Sequence, residues 1–393
     1  MTTSRIPFHR PSLGPGERSA VLEVLDSGWL TMGEQTVSFE REIERFTGAA
    51  HAVGLNSATA ALHLALEALG IGAEDEVIVP TYTFAACGEV VRYLGGRPRL
   101  ADVDRRTLNV TAETIAAQLR PTTKAVIVVH FGGLMADMSP ILELCSERGI
   151  TVIEDAAHAL PASRAGRAAG TWGAVGALSF YATKTVTTGE GGMLLTDDER
   201  IADRARVMRL HGISRDAWKR YTGSGSWYYE IEDVGFKYNL TDLAAAIGRV
   251  QLTRAEEMRQ ARERVAAAYT ERLTRGPLRD LLELPPEPDA ATVHAWHLYP
   301  IRLRQGASGE ERADVIDRLA ADGIGTSVHF IPLHLHPYYR RTYGYTRADL
   351  PVAAGEYERE ISLPIYPDLT VAEIDRVCEA VTAAVSPRRL ASA

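Results

Sequence analysis

Lysine is scarce in this chain of 393 residues. Lys124, Lys184, Lys219 and Lys237 are the only four, and arginine supplies the rest of the 43 basic side chains. Chemistry that needs a primary amine therefore has few places to sit. Cysteine is scarcer still: Cys87, Cys145 and Cys378 stand far apart and form no C-x-x-C pair. That leaves a disulfide framework or a zinc site without support and points to isolated thiols in a reducing compartment. A basic excess is missing too. The net charge is -8 and the pI is about 5.8, which argues against a nucleic-acid partner while leaving room for a local basic pocket. No run of 18 apolar residues occurs, so no membrane span is expected. The N-terminal MTTSRIPFHRPSLGPGERS lacks the apolar core of a signal peptide, and the expected address is cytoplasmic. Nor does a G-x-G-x-x-G follow the first candidate strand with an acidic residue about twenty positions on, which sets a nicotinamide-dependent oxidoreductase aside.

What is present is the balance of a soluble globular chain, 46% hydrophobic and 24% charged, long enough for two domains. Short apolar runs alternate with helical patterns between about residues 50 and 200. Candidate strands are His51–Leu55, Glu76–Pro80, Arg99–Val103, Ala125–His130, Thr151–Glu154, Ala174–Phe180 and Met193–Thr196. Continuous apolar runs such as AVIVVH fit strands buried on both faces. Ala61, Leu62, Ala65, Leu66 and Leu69 share one helical face, with Gly70 placed to end that helix. The alternation predicts a mostly parallel sheet covered by helices. From Thr241 to about Arg275 the pattern is helical, and LPPEPDA then reads as a connector. HAWHLYPIRL reads as a strand, and Ser308–Glu311 and Thr370–Glu373 have the capping-box form of helix starts. The expected organisation is a large α/β domain over residues 1–255 and a smaller α+β domain over 256–393.

Three places carry chemistry. Lys184, in SFYATKTVTTGEGG, has Ala, Thr and Val neighbours rather than charges. An amine held out of bulk water has a lowered pKa and can act as nucleophile and base, as a Schiff-base lysine must. Asp155 ends the apolar run TVIED, where ligands of open α/β sheets bind. Its carboxylate suits a cationic ring nitrogen, although taken alone a helix cap is the commoner role. Asn56-Ser57-Ala58-Thr59 lies between a strand and the Ala61–Leu69 helix, and is either a plain cap or an anion seat built from free N–H groups and hydroxyls. An anion seat, a strand-end carboxylate and a desolvated lysine together meet the needs of pyridoxal phosphate.

These motifs resemble the DegT-type family of nucleotide-sugar aminotransferases. The resemblance runs nearly the whole chain, through SGWLTMGEQTVSFE, NSATAAL, PTYTFAA, EDAAH, SFYATKTVTTGEGG, RLHGISRDAW, GFKYNLTDLAAAIGRVQL and SVHFIPLH in matching order. It implies the aspartate-aminotransferase-like fold of pyridoxal-phosphate fold type I, with a mostly parallel seven-stranded sheet and a smaller α+β C-terminal domain. It implies that Lys184 bonds the cofactor and that Asp155 pairs with its ring nitrogen. His158 would lie beside the cofactor, Phe84 would stack on its ring, and Ser57, Ala58, Thr59 and Ser179 would surround its phosphate. Asn239 would reach the phosphate in a partner subunit, making a homodimer with shared active sites.

Two departures stand out. Ala58 occupies a position that is commonly glycine, a strain if the backbone there needs φ > 0. Met135 stands where proline is common, which questions the shape of one loop.

The resemblance further implies transamination of a nucleoside-diphosphate 4-keto-6-deoxyhexose with L-glutamate as donor. Gly325–His334 resembles the 4-keto branch. His329, Phe330 and His334 are candidates for the substrate side, as are Trp29 and Thr31; in the bland alternative Val328 and Phe330 are core and the histidines face solvent. A 3-keto-sugar aminotransferase stays open. A sugar 3-dehydrase would have histidine in place of Lys184. A cofactor-binding sensor without turnover would not need both Lys184 and Asp155.

Overall fold

The structure, a computed structural model, describes residues 5–213, 228–276, 278–304 and 311–386. Its centre is a seven-stranded sheet: β1 His51–Leu55, β2 Glu76–Pro80, β3 Arg97–Ala101, β4 Thr123–Val129, β5 Thr151–Asp155, β6 Val175–Ser179 and β7 Gly192–Thr196, in the spatial order β1-β7-β6-β5-β4-β2-β3. Strands β2 to β6 pair in parallel. β7 runs against both of its neighbours, β1 and β6. The seven strand expectations hold, with ends moved by one or two residues. The continuous apolar runs are explained as well: every residue of β2 and all of Ala125–Val129 are buried, because helices cover both faces.

Helix Ala58–Ala68 shows how sequence sets an element. Ser57 caps it by accepting the amide of Ala60 (3.1 Å). Gly70 closes it in the left-handed region at φ 71°, where a side chain would be strained. Leu62 and Leu66 on its inner face are almost fully buried, a burial that stabilises by about 1.5–3 kcal/mol each.

The helical stretch from Thr241 resolves into Asp242–Thr253 and Ala255–Leu273. A second, three-stranded sheet joins Leu282–Glu283, Tyr299–Leu303 and Glu360–Leu363. It packs with helix Val371–Val385 and the end of Ala255–Leu273 around its own core, which includes Tyr299, Ile361 and Val377. Thr370 and Glu373 form the capping box expected there. The other expected box lies mostly outside the described residues; helix Arg312–Ala321 has Glu311 at its N-cap.

One strand is shorter than its sequence suggests. Of HAWHLYPIRL only Tyr299–Leu303 is extended. Trp296 takes φ 48°, and the amides of Ala295 and Leu298 turn to the carbonyls of Gly133 and Gly132 (both 3.1 Å). Residues 294–298 thus form a loop against the main sheet. The Met135 question resolves here too. Gly132 and Gly133 supply the positive φ values of the neighbouring turn, and Met135 is buried beside Ala156 and Ala159. Among the described residues no helix is long and apolar enough to cross a membrane.

Candidate active site

A cavity of about 590 Å³ opens at the C-terminal ends of the parallel strands. Every residue expected at the cofactor lines it except Asn239. They arrive on several elements. Asp155 is the last residue of β5 and Ser179 the last of β6. Ser57, Ala58 and Thr59 open helix Ala58–Ala68 after β1. Lys184 sits on the loop that reverses the chain between β6 and β7. Three backbone bonds hold that loop: Phe180 N to Gly191 O (2.9 Å), Thr188 N to Phe180 O (2.9 Å) and Lys184 N to Tyr181 O (2.9 Å).

The electrostatics follow from burial. Lys184 is pushed down to about 8, chiefly by burial; Asp155 opposes the shift and the Arg262 guanidinium adds to it. Arg262 is itself fully enclosed and donates to backbone carbonyls, that of Ile365 at 2.9 Å. Asp155 Oδ1 accepts the amide of Ala157 (3.0 Å) and Oδ2 accepts the thiol of Cys87 (3.0 Å). Two directional bonds therefore fix the carboxylate plane. Burial, Lys184 and His329 keep the His158 imidazole neutral well below its ordinary range. Its Nδ1 accepts the amide of Gly132 (3.3 Å).

The Asn56–Thr59 turn is a cap, and it leaves donors that an anion could use. Ser57 is a cap, yet it takes only the Ala60 amide. Helix geometry leaves the amides of Ala58 and Thr59 without intrahelical partners at the positive end of the dipole. Ala58 is the first residue of a right-handed helix, so its methyl brings none of the feared strain. Gly192 completes this cradle: a Cβ there would stand 2.2 Å from the carbonyl carbon of Ser57 and 2.5 Å from the amide of Ala58. Because these are backbone atoms, the contact cannot be relieved by a rotamer change.

An anion seat with two unused amides, an oriented carboxylate and a desolvated amine fit pyridoxal phosphate. Gly192→Ala is expected to displace the seat and weaken cofactor affinity about tenfold or more. Titrating the apoprotein with pyridoxal phosphate checks this; wild-type affinity would mean the phosphate sits elsewhere.

The remaining candidates divide. His329 and Phe330 line the cavity, and Phe84, exposed at 64%, stands at its edge with its ring 6.2 Å from Phe330. His334 is buried away from the cavity and bonded to Thr81 (2.8 Å), so neither histidine simply faces solvent. Trp29 and Thr31 lie outside this cavity, where Trp29 donates to Met32 O (3.2 Å) and Thr31 O accepts the amide of Asp242 (3.2 Å). Asn239 bridges to Leu55 and accepts from Lys237 (2.6 Å). Of the run Trp227-Tyr228-Tyr229, whose aromatics could stack on a nucleotide base or pack on their own protein, Trp227 lies outside the described residues, and Tyr228 and Tyr229 are exposed. Sequence reasoning missed Phe8 and His9, which reach the cavity from the N-terminal segment, and His297, which the 294–298 loop delivers. It also treated Cys87 as an isolated thiol. No local pattern marks these residues, since each acts through a partner distant in sequence.

Comparison with known proteins agrees with this geometry. The family described as the DegT/DnrJ/EryC1/StrS aminotransferase family matches residues 11–382. The spore coat polysaccharide biosynthesis protein SpsC of Bacillus subtilis is 46% identical over 377 residues, covering 96% of each chain. Among solved structures, the aminotransferase TlmJ from Streptoalloteichus hindustanus superposes with a TM-score of 0.89 at 35% identity, over 97% of this chain and 99% of that one. The putative sugar aminotransferase Spr1654 from Streptococcus pneumoniae, in its PMP form, gives 0.90 at 31% identity over 97% and 99%.

Proposed function

The chain belongs to the DegT/DnrJ/EryC1/StrS aminotransferase family, as a sugar aminotransferase dependent on pyridoxal phosphate, and we propose that it moves the amino group of L-glutamate to a nucleoside-diphosphate 4-keto-6-deoxyhexose. The observation that carries the reading is the meeting of Lys184, Asp155 and the Ser57–Thr59 seat in one cavity. The 4-keto assignment rests on the Gly325–His334 segment, whose His329 and Phe330 form part of the cavity wall. The name of the Bacillus subtilis relative, a polysaccharide biosynthesis protein, is in keeping with a sugar acceptor.

Bound pyridoxal phosphate supplies an aldehyde that receives the amino group and a protonated ring that accepts the electron pair released at the substrate carbon. The chain does the rest. The amides of Ala58 and Thr59, with the Ser57 and Ser179 hydroxyls, hold the phosphate. Asp155, its plane set by Cys87 and Ala157, keeps the ring nitrogen protonated. Lys184 attaches the cofactor. Once free, its amine would take the proton from the donor's α-carbon and, in the second half-reaction, deliver one to the sugar carbon that receives the amino group. His158 stays neutral and serves by hydrogen bonding beside the ring. Asn239 lies outside its own chain's cavity and serves the phosphate of the partner subunit in a homodimer.

Two consequences are measurable. Attachment needs the neutral amine, and a Lys184 pKa of about 8 leaves about a tenth of it neutral at pH 7. Capture of pyridoxal phosphate by the apoprotein should therefore rise about tenfold per pH unit up to about 8 and then level off; a stopped-flow profile still rising at pH 10 would place the amine in open water. Asn239→Ala should weaken cofactor retention about tenfold, the worth of one charge-assisted hydrogen bond. Unchanged retention on dialysis would remove Asn239 from the site.

The function itself is tested by mass spectrometry of the sugar nucleotide after incubation with enzyme, pyridoxal phosphate, L-glutamate and dTDP-4-keto-6-deoxyglucose. An amino-sugar product is expected. Conversion of the cofactor to its amine form by glutamate, without that product, would transfer the assignment to a 3-keto or UDP-linked acceptor.

A further inference from the structure

Behind one wall of the cavity lies a closed chain of hydrogen bonds that the reaction as described does not use. Glu360 begins the strand Glu360–Leu363 and is fully buried. Ser362 follows two positions on, on the same face. Residue 327 runs alongside: Ser327 N donates to Ser362 O (3.2 Å) and Ser362 N to Ser327 O (2.8 Å). That pairing sets His329 above Ser362, with Nδ1 2.9 Å from the serine Oγ. The Ser362 hydroxyl also bonds Glu360 Oε1, and Glu360 Oε2 accepts the backbone N–H of His329 (2.9 Å). Phe8 stacks on the imidazole at 5.5 Å and 28°. With Nδ1 tied back into the wall, Nε2 is the ring atom left for the cavity that His329 lines.

A hydroxyl has one proton to donate, so the chain has a direction. If Glu360 is ionised, Ser362 donates to it and accepts from Nδ1–H, and Nε2 is a bare lone pair. If Glu360 is protonated, it donates to Ser362, Ser362 donates to Nδ1, and the imidazole proton sits on Nε2. We propose that Glu360 and Ser362 are positioning residues which, by reversing this chain, decide whether His329 offers the cavity an N–H or a lone pair. Reversal is balanced. The Nε2–H bond breaks and its proton passes to a water or substrate oxygen in the cavity. Nδ1 takes the proton of Ser362, and Ser362 takes that of Glu360.

The charges around the chain allow both directions. Burial, with the positive Lys184 nearby, holds His329 down at about 4, so the ring stays neutral and the two tautomers are its only states. Burial pushes Glu360 up to about 8, against the pull of Ser362, the His329 amide, Arg312 and Arg302. Tyr82 also stands within its field, and Arg302 is committed to Glu356 and Glu283 (3.0 and 2.9 Å). Below about pH 8 the chain therefore presents Nε2–H, and above it the lone pair.

A sugar aminotransferase has a use for this. Its two substrates alternate in one cavity, and the donor's carboxylate calls for an N–H where the sugar's hydroxyls can meet a lone pair. That last step rests on the function proposed above; the chain and its tautomers do not.

The test is a two-bond proton–nitrogen correlation spectrum of the holoenzyme labelled with 15N-histidine, with His329 identified by the signal missing in His329→Gln. In the wild type the His329 signal should change from the Nε2–H to the Nδ1–H tautomer between pH 6.5 and 9.5. In Glu360→Gln the side-chain amide donates to Ser362 at every pH, so the Nε2–H tautomer should persist throughout. Ser362→Ala should break the link between pH and tautomer. In kinetics, the KM for glutamate should climb above pH 8 in the wild type and stay flat in Glu360→Gln, with kcat less affected. A wild-type tautomer that does not change across this range, or a change that survives in both variants, overturns the proposal. The wild-type titration decides even if a variant fails to fold. A tautomer switch without any sugar product would sink only the function proposed above.

Discussion

Lys184→Ala should abolish transamination, by about 10⁴-fold or more, and leave the purified protein without the visible absorbance of attached cofactor. Two losses combine. The primary amine that bonds the aldehyde is gone, and so is the base that moves the α-proton. No substitute is at hand among the described lysines: Lys124 and Lys237 are exposed and outside the cavity. Lys184→Arg is the informative companion. It keeps a cation in the same place but cannot lose its proton at working pH, so it should be as inactive as the alanine variant. An active Lys184→Arg enzyme would mean that position 184 contributes charge alone, and a yellow, active Lys184→Ala enzyme would sink the assignment altogether.

Asp155→Ala should retain some cofactor, held by the phosphate seat, and lose about 10²- to 10³-fold in turnover, the usual worth of a pre-oriented electrostatic partner. A second signature separates this from simple disruption. Asp155 is the group that holds the Lys184 pKa up against burial. Its removal should therefore move the plateau of cofactor capture to lower pH than the wild type's. Slow turnover with an unmoved capture profile would indicate a damaged fold; unchanged turnover would reduce Asp155 to a local cap for Ala157.

The parts legible in the sequence are those governed by short-range rules. Strand alternation, the Ser57 cap, the Gly70 stop and the Thr370–Glu373 box depend on neighbours within a few positions, and each is found where the sequence puts it. Lys184 and Asp155 were visible because a lysine among apolar residues and a carboxylate at a strand end are locally odd. The illegible parts are pairings between distant segments. Cys87 matters through Asp155, Ser362 and Glu360 through His329, and His297 through a turn created when Trp296 adopts a left-handed backbone. The strand ending at Leu303 was overextended for the same reason: nothing in HAWHLYPIRL before Tyr299 reads as a turn, and only the docking of Ala295 and Leu298 on Gly133 and Gly132 ends the strand.

The placing of β7 between β1 and β6 bears on how the protein matures. Leu55 pairs with Gly192, two residues far apart along the chain, and the Lys184 loop is closed by the same insertion. Until β7 enters the sheet, the phosphate seat has no floor and the amine has no fixed position. Contacts of such long range form late in folding. On the site proposed above, a nascent chain is expected to acquire its cofactor only once its central sheet is complete, and the appearance of colour would mark the moment when the sheet has closed.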